Sequence, residues 1–366
     1  MRAVRLEAPG AGLQVVDLPI PEPTGSQVRV RVAACGVCHT DLHIVDGSQS
    51  RVELPVTLGH EVSGWIDAIG PEAGHSRSGT RLRPRRRLKV GDPALVFGGW
   101  GCGACRECAR GEEQRCERGR SPGFQEDGGY AEYLLVPHPR HLVPLGSLDP
   151  VRAAPLADAG VTPYRAVRRA GSWLGPGSRV LLIGAGGLGQ FALQFLRTLP
   201  DLTIGVRELN PDKLAVAESL GADLGILGGD EDLAHLGLGG PADVVFDFVG
   251  TDDTLAYAAR NVAPGGLVSL VGEAGGRFAF GFDGLPVEAS MTTTAWGSVD
   301  DLRAVVKVAR GGRLRWSVEE MPLSRAADAH ARLAAGTVEG RIVLVPDQSP
   351  PSSLERNPPP FGLAAT

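Results

Sequence analysis

The stretch SRVLLIGAGGLGQFALQFLRTL, residues 178–199, reads as an apolar strand, a glycine turn and a helix. Its centre, Gly184-Ala185-Gly186-Gly187-Leu188-Gly189, follows the strand directly and opens the helix. A G-x-G-x-x-G pattern has meaning only in that context. Gly184 permits a tight turn, Gly186 lets a ligand approach the backbone, and Gly189 lets helix and strand pack closely. The N–H groups of the first helical turn, from Gly187 and Leu188 onward, suit a pyrophosphate.

Reading outward, LTIGVRE (202–208) is a second strand that ends in Glu208. An acid there can accept hydrogen bonds from ribose hydroxyls and repel a 2′-phosphate, which favours NAD. Arg207 is its neighbour, and successive strand residues face opposite ways, so only one of the two should sit at the ribose. Asn210-Pro211 caps the helix DKLAVAESL, which stops at Gly221. ADVVFDFVG and GGLVSLVG are continuous apolar runs, as expected of parallel strands buried on both faces. Thr162-Pro163 reads as an N-cap and first turn for PYRAVRRA. The alternation predicts an α/β, doubly wound domain over 155–296.

Upstream, VRVRVAACGV, EVSGWIDAIG and DPALVFGGW are short strands in a Gly- and Pro-rich region, predicting a β-rich domain over 1–154. Beyond 296, two helical runs precede the strand RIVLVP, and 297–346 is assigned back to the β-rich domain. The basic stretch 71–89 looks appended: its run 81–89 reads as a solvated surface loop, or as a contact for phosphates or a neighbouring subunit, and the Pro- and Ser-rich tail 347–366 reads as disordered. A net charge of −5 argues against a nucleic-acid surface. No apolar run reaches the roughly 18–20 residues of a membrane span. The first residues alternate like a strand and lack a signal core, so a cytoplasmic location is expected.

Six cysteines are present, too tightly spaced for a disulfide scaffold in a chain of 366 residues. Cys102-x2-Cys105-x2-Cys108-x7-Cys116 can close a four-thiolate shell around structural zinc. Cys38-His39-Thr40-Asp41-Leu42-His43 and Gly59-His60-Glu61 hold a second set of plausible donors. Each of these last two is weak alone, and Thr40, Asp41 and His43 are also ordinary turn and capping residues.

The ordered set CGVCHTDLH, GHE, the four-cysteine lobe, GGYAEY, ADAGVTPYRAV, GAGGLG and GRIVLVP resembles the zinc-containing medium-chain dehydrogenase/reductase family, the alcohol dehydrogenases. The resemblance runs from residue 1 to about 346. It implies a GroES-like catalytic domain beside a Rossmann cofactor domain, two zinc ions per chain, NAD, and a homodimer or homotetramer. It implies hydride transfer between nicotinamide and a primary, secondary or aromatic alcohol acidified by Lewis-acid zinc. By the same resemblance Cys38, His60 and Asp158 are the catalytic zinc ligands, with Glu61 beside the metal and able to exchange with water. Asp158 stands where relatives frequently have cysteine, and its oxygen makes the metal more Lewis-acidic. Thr40 matches a relay hydroxyl and His43 a solvent-facing relay base, while Asp41 should hold the far side of His60. His39 and Arg341 match positions at the cofactor phosphates. Trp100 and Trp296 flank places where relatives shape the substrate pocket. Cys35 reads as packing. Alternatives are a polyol or amino-alcohol dehydrogenase of this family, or a non-catalytic zinc-stabilised NAD(H) sensor.

Overall fold

The computed structural model describes residues 1–73, 88–229 and 237–347. Most of the basic stretch, and the tail beyond Asp347, lie outside the described residues. The chain forms two compact units, Met1–Ala157 with the segment from Val318, and Asp158–Ser317.

The first unit is β-rich. Its larger sheet runs Val318–Pro322, Arg341–Val345, Val28–Gly36, Glu61–Ile69, Pro93–Val96 and Leu142–Pro144, with Tyr133–Val136 also paired to Val28–Gly36. Eight of the nine residues of the central strand Val28–Gly36 and six of the nine of Glu61–Ile69 are buried, which suits their many β-branched and small side chains. A smaller antiparallel sheet joins Gln14–Asp17, Arg2–Leu6 and Val56–Thr57. Val30, Val32, Val62, Ile66 and Tyr130 lie in the unit's apolar core.

The second unit holds six parallel strands in the order Leu224–Leu227, Thr203–Glu208, Arg179–Ile183, Ala242–Asp247, Val262–Leu270, Ser290–Thr293. In chain order this is 3-2-1-4-5-6, the doubly wound arrangement that the sequence predicts. The order reverses between Arg179–Ile183 and Ala242–Asp247, and the glycine turn leaves the first of these strands. The turn therefore lies at the crevice where such sheets bind ligands.

Two expectations need correction. The chain rejoins the first unit at Val318, not at 297. The helix Val299–Arg310 stays with the second unit through buried Asp301, which meets Arg165 at 3.1 Å and Arg168 at 2.8 Å on the helix Val161–Arg169. Asp301 also closes a capping box with Ser298. Breaking a buried pair of this kind costs about 3–5 kcal/mol. The second correction concerns Thr162, which is not an N-cap. The helix begins at Val161, and the Thr162 hydroxyl donates to Asp158 Oδ1 at 2.6 Å. No helix among the described residues is long and apolar enough to cross a membrane.

Candidate active site and metal centres

The strand Val28–Gly36 delivers Cys38 to the first position before the helix His39–Asp46. Cys38 is the N-cap, and its N–H donates to Asp41 Oδ2 at 2.9 Å. The adjacent strand begins at Glu61, opposite Gly36. A Cβ on Gly36 would lie 1.8 Å from Glu61 Oε2, so glycine is what admits that carboxylate. Gly59 has a φ of 96°, and a Cβ there would meet Tyr130 and Cys35 Sγ at 2.4 and 2.6 Å. The Gly59-His60-Glu61 turn is thus fitted over the Tyr130 ring.

This geometry gathers donor atoms of Cys38, His60, Glu61 and Asp158 within 4.8 Å of one another. Donors around one tetrahedral zinc sit about 3–4 Å apart, given bonds of about 2.0–2.3 Å. The set of thiolate, imidazole and carboxylate fits the ion. Asp41 is fully buried, and its Oδ1 faces His60 Nδ1 at 3.5 Å. A carboxylate at that distance favours the proton on Nδ1, which leaves Nε2 as the nitrogen for a metal. Asp41 pays desolvation, yet His60, His330 and the Cys38 N–H hold its carboxyl below the usual range. Thr40 Oγ1 lies 3.6 Å from Cys38 Sγ, and half-buried His43 follows three residues later on the same helix.

Arg341 is buried, and its Nη2 donates to Glu61 Oε1 at 2.5 Å. In the structure it therefore engages the carboxylate beside the donor cluster. His39 is exposed. Cys35 is fully buried in the core, as expected, and burial pushes its thiol well up. Trp100 is 5% exposed within the first unit's core. Its Nε1 donates to Phe97 O at 2.6 Å and its ring stacks on His141. Trp296 is half-buried.

The four lobe cysteines form the second donor group, again within 4.8 Å. Cys105 Sγ lies 3.5 Å from Cys108 Sγ and 3.7 Å from Cys116 Sγ, and Cys102 Sγ is 4.0 Å from Cys108 Sγ. Four thiolates on zinc at about 2.3 Å require sulfur separations of roughly 3.8 Å. Backbone N–H groups of Ala104 and Cys105 pull Cys102 down to about 6, while burial drives Cys108 up to about 12. At the base of the lobe, buried Glu113 accepts from Gly101 N, Arg140 and His141. Sequence reading gave Glu113 no role.

At the glycine turn, Gly184 has a φ of 91°, and a Cβ on Gly189 would lie 2.0 Å from Gly184 O. Gly186 has open space where its Cβ would be, the cradle a pyrophosphate needs. Gly187 and Leu188 begin the helix Gly187–Leu196. Glu208 Oε2 accepts from Ala185 N at 2.7 Å, so its carboxylate stands at the turn. Arg207 faces elsewhere: both Nε and Nη2 donate to Gly229 O, and its guanidinium lies 4.4 Å from the Tyr257 ring centroid.

Known proteins share this architecture. Residues 24–147 match the alcohol dehydrogenase GroES-like domain, and residues 220–344 match the zinc-binding dehydrogenase family. An NAD-dependent alcohol dehydrogenase of Sulfurisphaera tokodaii is 35% identical over 94% of this chain and all of its own length. A D-arabinose 1-dehydrogenase (NADP(+)) of Saccharolobus solfataricus is 34% identical over 91% of this chain and 94% of its own length. The alcohol dehydrogenase structure from Aeropyrum pernix superposes with a TM-score of 0.85 at 33% identity, covering 94% of this chain and all of that one. The chain belongs to the zinc-binding alcohol dehydrogenase family of medium-chain dehydrogenases/reductases. It is accordingly an enzyme, an alcohol oxidoreductase working with a nicotinamide dinucleotide.

Proposed function

We propose that the chain is an NAD-dependent alcohol dehydrogenase or ketone reductase with two zinc ions, one structural and one catalytic. The convergence of Cys38, His60, Glu61 and Asp158 carries this reading. Bound there, zinc supplies a Lewis acid that acidifies an alcohol or polarises a carbonyl, and NAD supplies the hydride acceptor. Cys38, His60 and Asp158 are the proposed ligands. Glu61, held by Arg341, is the carboxylate beside them. Thr40 takes the substrate proton at its Oγ1 and His43 passes it to solvent, since a hydroxyl can both accept and donate. Cys102, Cys105, Cys108 and Cys116 hold the closed site. The resemblance supplies the assignment of His39 and Arg341 to the cofactor phosphates.

Glu208 at the glycine turn supports NAD over NADP. Repulsion of a 2′-phosphate by that carboxylate should give at least about tenfold weaker NADP binding, the effect of a penalty near 1.4 kcal/mol. Paired titrations of both dinucleotides check this, and a strong NADP preference would refute it.

The overall test is a panel of primary, secondary and aromatic alcohols and ketones, followed by nicotinamide absorbance alongside elemental zinc analysis. Absence of turnover across the panel, with one zinc per chain, would favour a sensor. Likeness to a D-arabinose dehydrogenase supports a sugar or polyol substrate as the second reading, so the panel includes these. A cytoplasmic site suits six cysteines that form no disulfide. A homo-oligomer is supported by the edge strand Ser290–Thr293 and by the exposed side chains Phe280, Phe282 and Val287.

A further inference from the structure

The helix Ala326–Ala334 brings His330 beneath the His60 turn, inside the first unit. His330 is 7% exposed. Its Nε2 lies 3.2 Å from the Tyr130 hydroxyl, with the two rings edge to face. The same hydroxyl lies 3.2 Å from Asp41 Oδ2, and Asp41 Oδ1 faces His60 Nδ1 at 3.5 Å. Four buried side chains thus form one file: His330, Tyr130, Asp41, His60. The mechanism above uses only the last two.

We infer that His330 is a positioning residue for the His60 metal ligand, acting through Tyr130 and Asp41; this rests on the proposed metal site at Cys38 and His60. Proton counting gives the file one direction. An ionised carboxylate only accepts, so Tyr130 O–H donates to Asp41. The Tyr130 oxygen is then the acceptor for His330, whose proton must be on Nε2. Burial keeps the Tyr130 hydroxyl protonated and lowers His330, so a neutral imidazole with Nε2–H meets this requirement. Asp41 receives Cys38 N–H and Tyr130 O–H on Oδ2, which leaves Oδ1 turned to His60. Tyr130 is itself fixed: its N–H donates to Leu58 O, and its carbonyl accepts from Val4 N. An apolar residue at 330 would free the hydroxyl to rotate and deprive its buried oxygen of a donor.

The test is metal binding to the purified full chain. Zinc affinity is measured by chelator competition, with the four-cysteine ion as internal reference. Cobalt is substituted at the Cys38–His60 centre and its visible spectrum recorded. Tyr130→Phe and His330→Leu are each expected to weaken that centre by about tenfold, at the low end for partners behind a ligand. The double variant should be no weaker than either single, because both cut one file. His330→Gln, whose amide can donate from nearly the same place, should recover affinity and the cobalt spectrum. The lobe ion should be unaffected throughout. If the variants lower only thermal stability while affinity and spectrum stay put, or if the double variant's losses add, the inference is wrong. A wild-type chain holding metal only at the lobe, unchanged by His60→Ala, would sink the metal-site reading and the inference with it.

Discussion

His60→Ala is expected to leave a folded protein that retains one zinc and loses turnover by at least about a thousandfold. That factor corresponds to roughly 4 kcal/mol of transition-state stabilisation, within what Lewis-acid activation supplies. The local cost to folding is smaller. The imidazole is buried against Phe124, with ring centroids 5.7 Å apart, and faces Asp41. Removing it takes a partner from a buried carboxylate, at a cost of about 1–3 kcal/mol. Dinucleotide binding should persist, since the Gly184–Gly189 turn belongs to the other unit. The measurements are kcat/KM, zinc content and NAD affinity on one preparation. Near-wild-type turnover would end the proposed mechanism. Loss of NAD binding together with turnover would point instead to general unfolding.

The parts of this site that a reader of the sequence could find are those encoded by close spacing. The glycine turn lies within six residues, and the four cysteines span 102 to 116. Both are recognisable because local geometry dictates residue type: a positive φ at Gly184, no room for a Cβ at Gly189, and sulfur atoms close enough to share one ion. The Cys38–His60 centre needed the resemblance, because its donors come from separate strands and a junction. Contacts that depend on distant residues left no local signal. Arg341 and Glu61 are 280 positions apart, and Tyr130 and His330 are 200 apart. His330 sits in an ordinary amphipathic helix, and only the fold shows what its buried side reaches. The domain boundary failed similarly. Asp301 reads as a first-turn acid of its helix, and the pairing with Arg165 across 136 residues that holds that helix to the second unit is invisible in one dimension.

Cys102→Ser should have the opposite signature to His60→Ala: a large loss of stability and a small change in chemistry. The lobe has little else to hold it. Its helix, Arg106–Ala109, spans one turn and has no buried residues, far below the length at which a helix is stable alone. A serine hydroxyl is not ionised near neutral pH, so it cannot replace the thiolate in the shell. Metal binding at such a site is folding free energy. Losing even about 4 kcal/mol of it lowers the melting temperature by roughly 10 °C for a unit of this size. The damage should remain local. Glu113 continues to tie the lobe's base to His141 and Arg140 without any metal. Protease cleavage is therefore expected between 102 and 116 before the surrounding sheet opens. Zinc content should fall by one ion, while kcat per intact molecule changes little, because Cys38 and His60 belong to the other donor group. Unchanged melting and protease resistance with both ions retained would show that the lobe does not depend on its metal. A loss of kcat equal to that of His60→Ala at full stability would mean that the two zinc sites have been assigned the wrong way round.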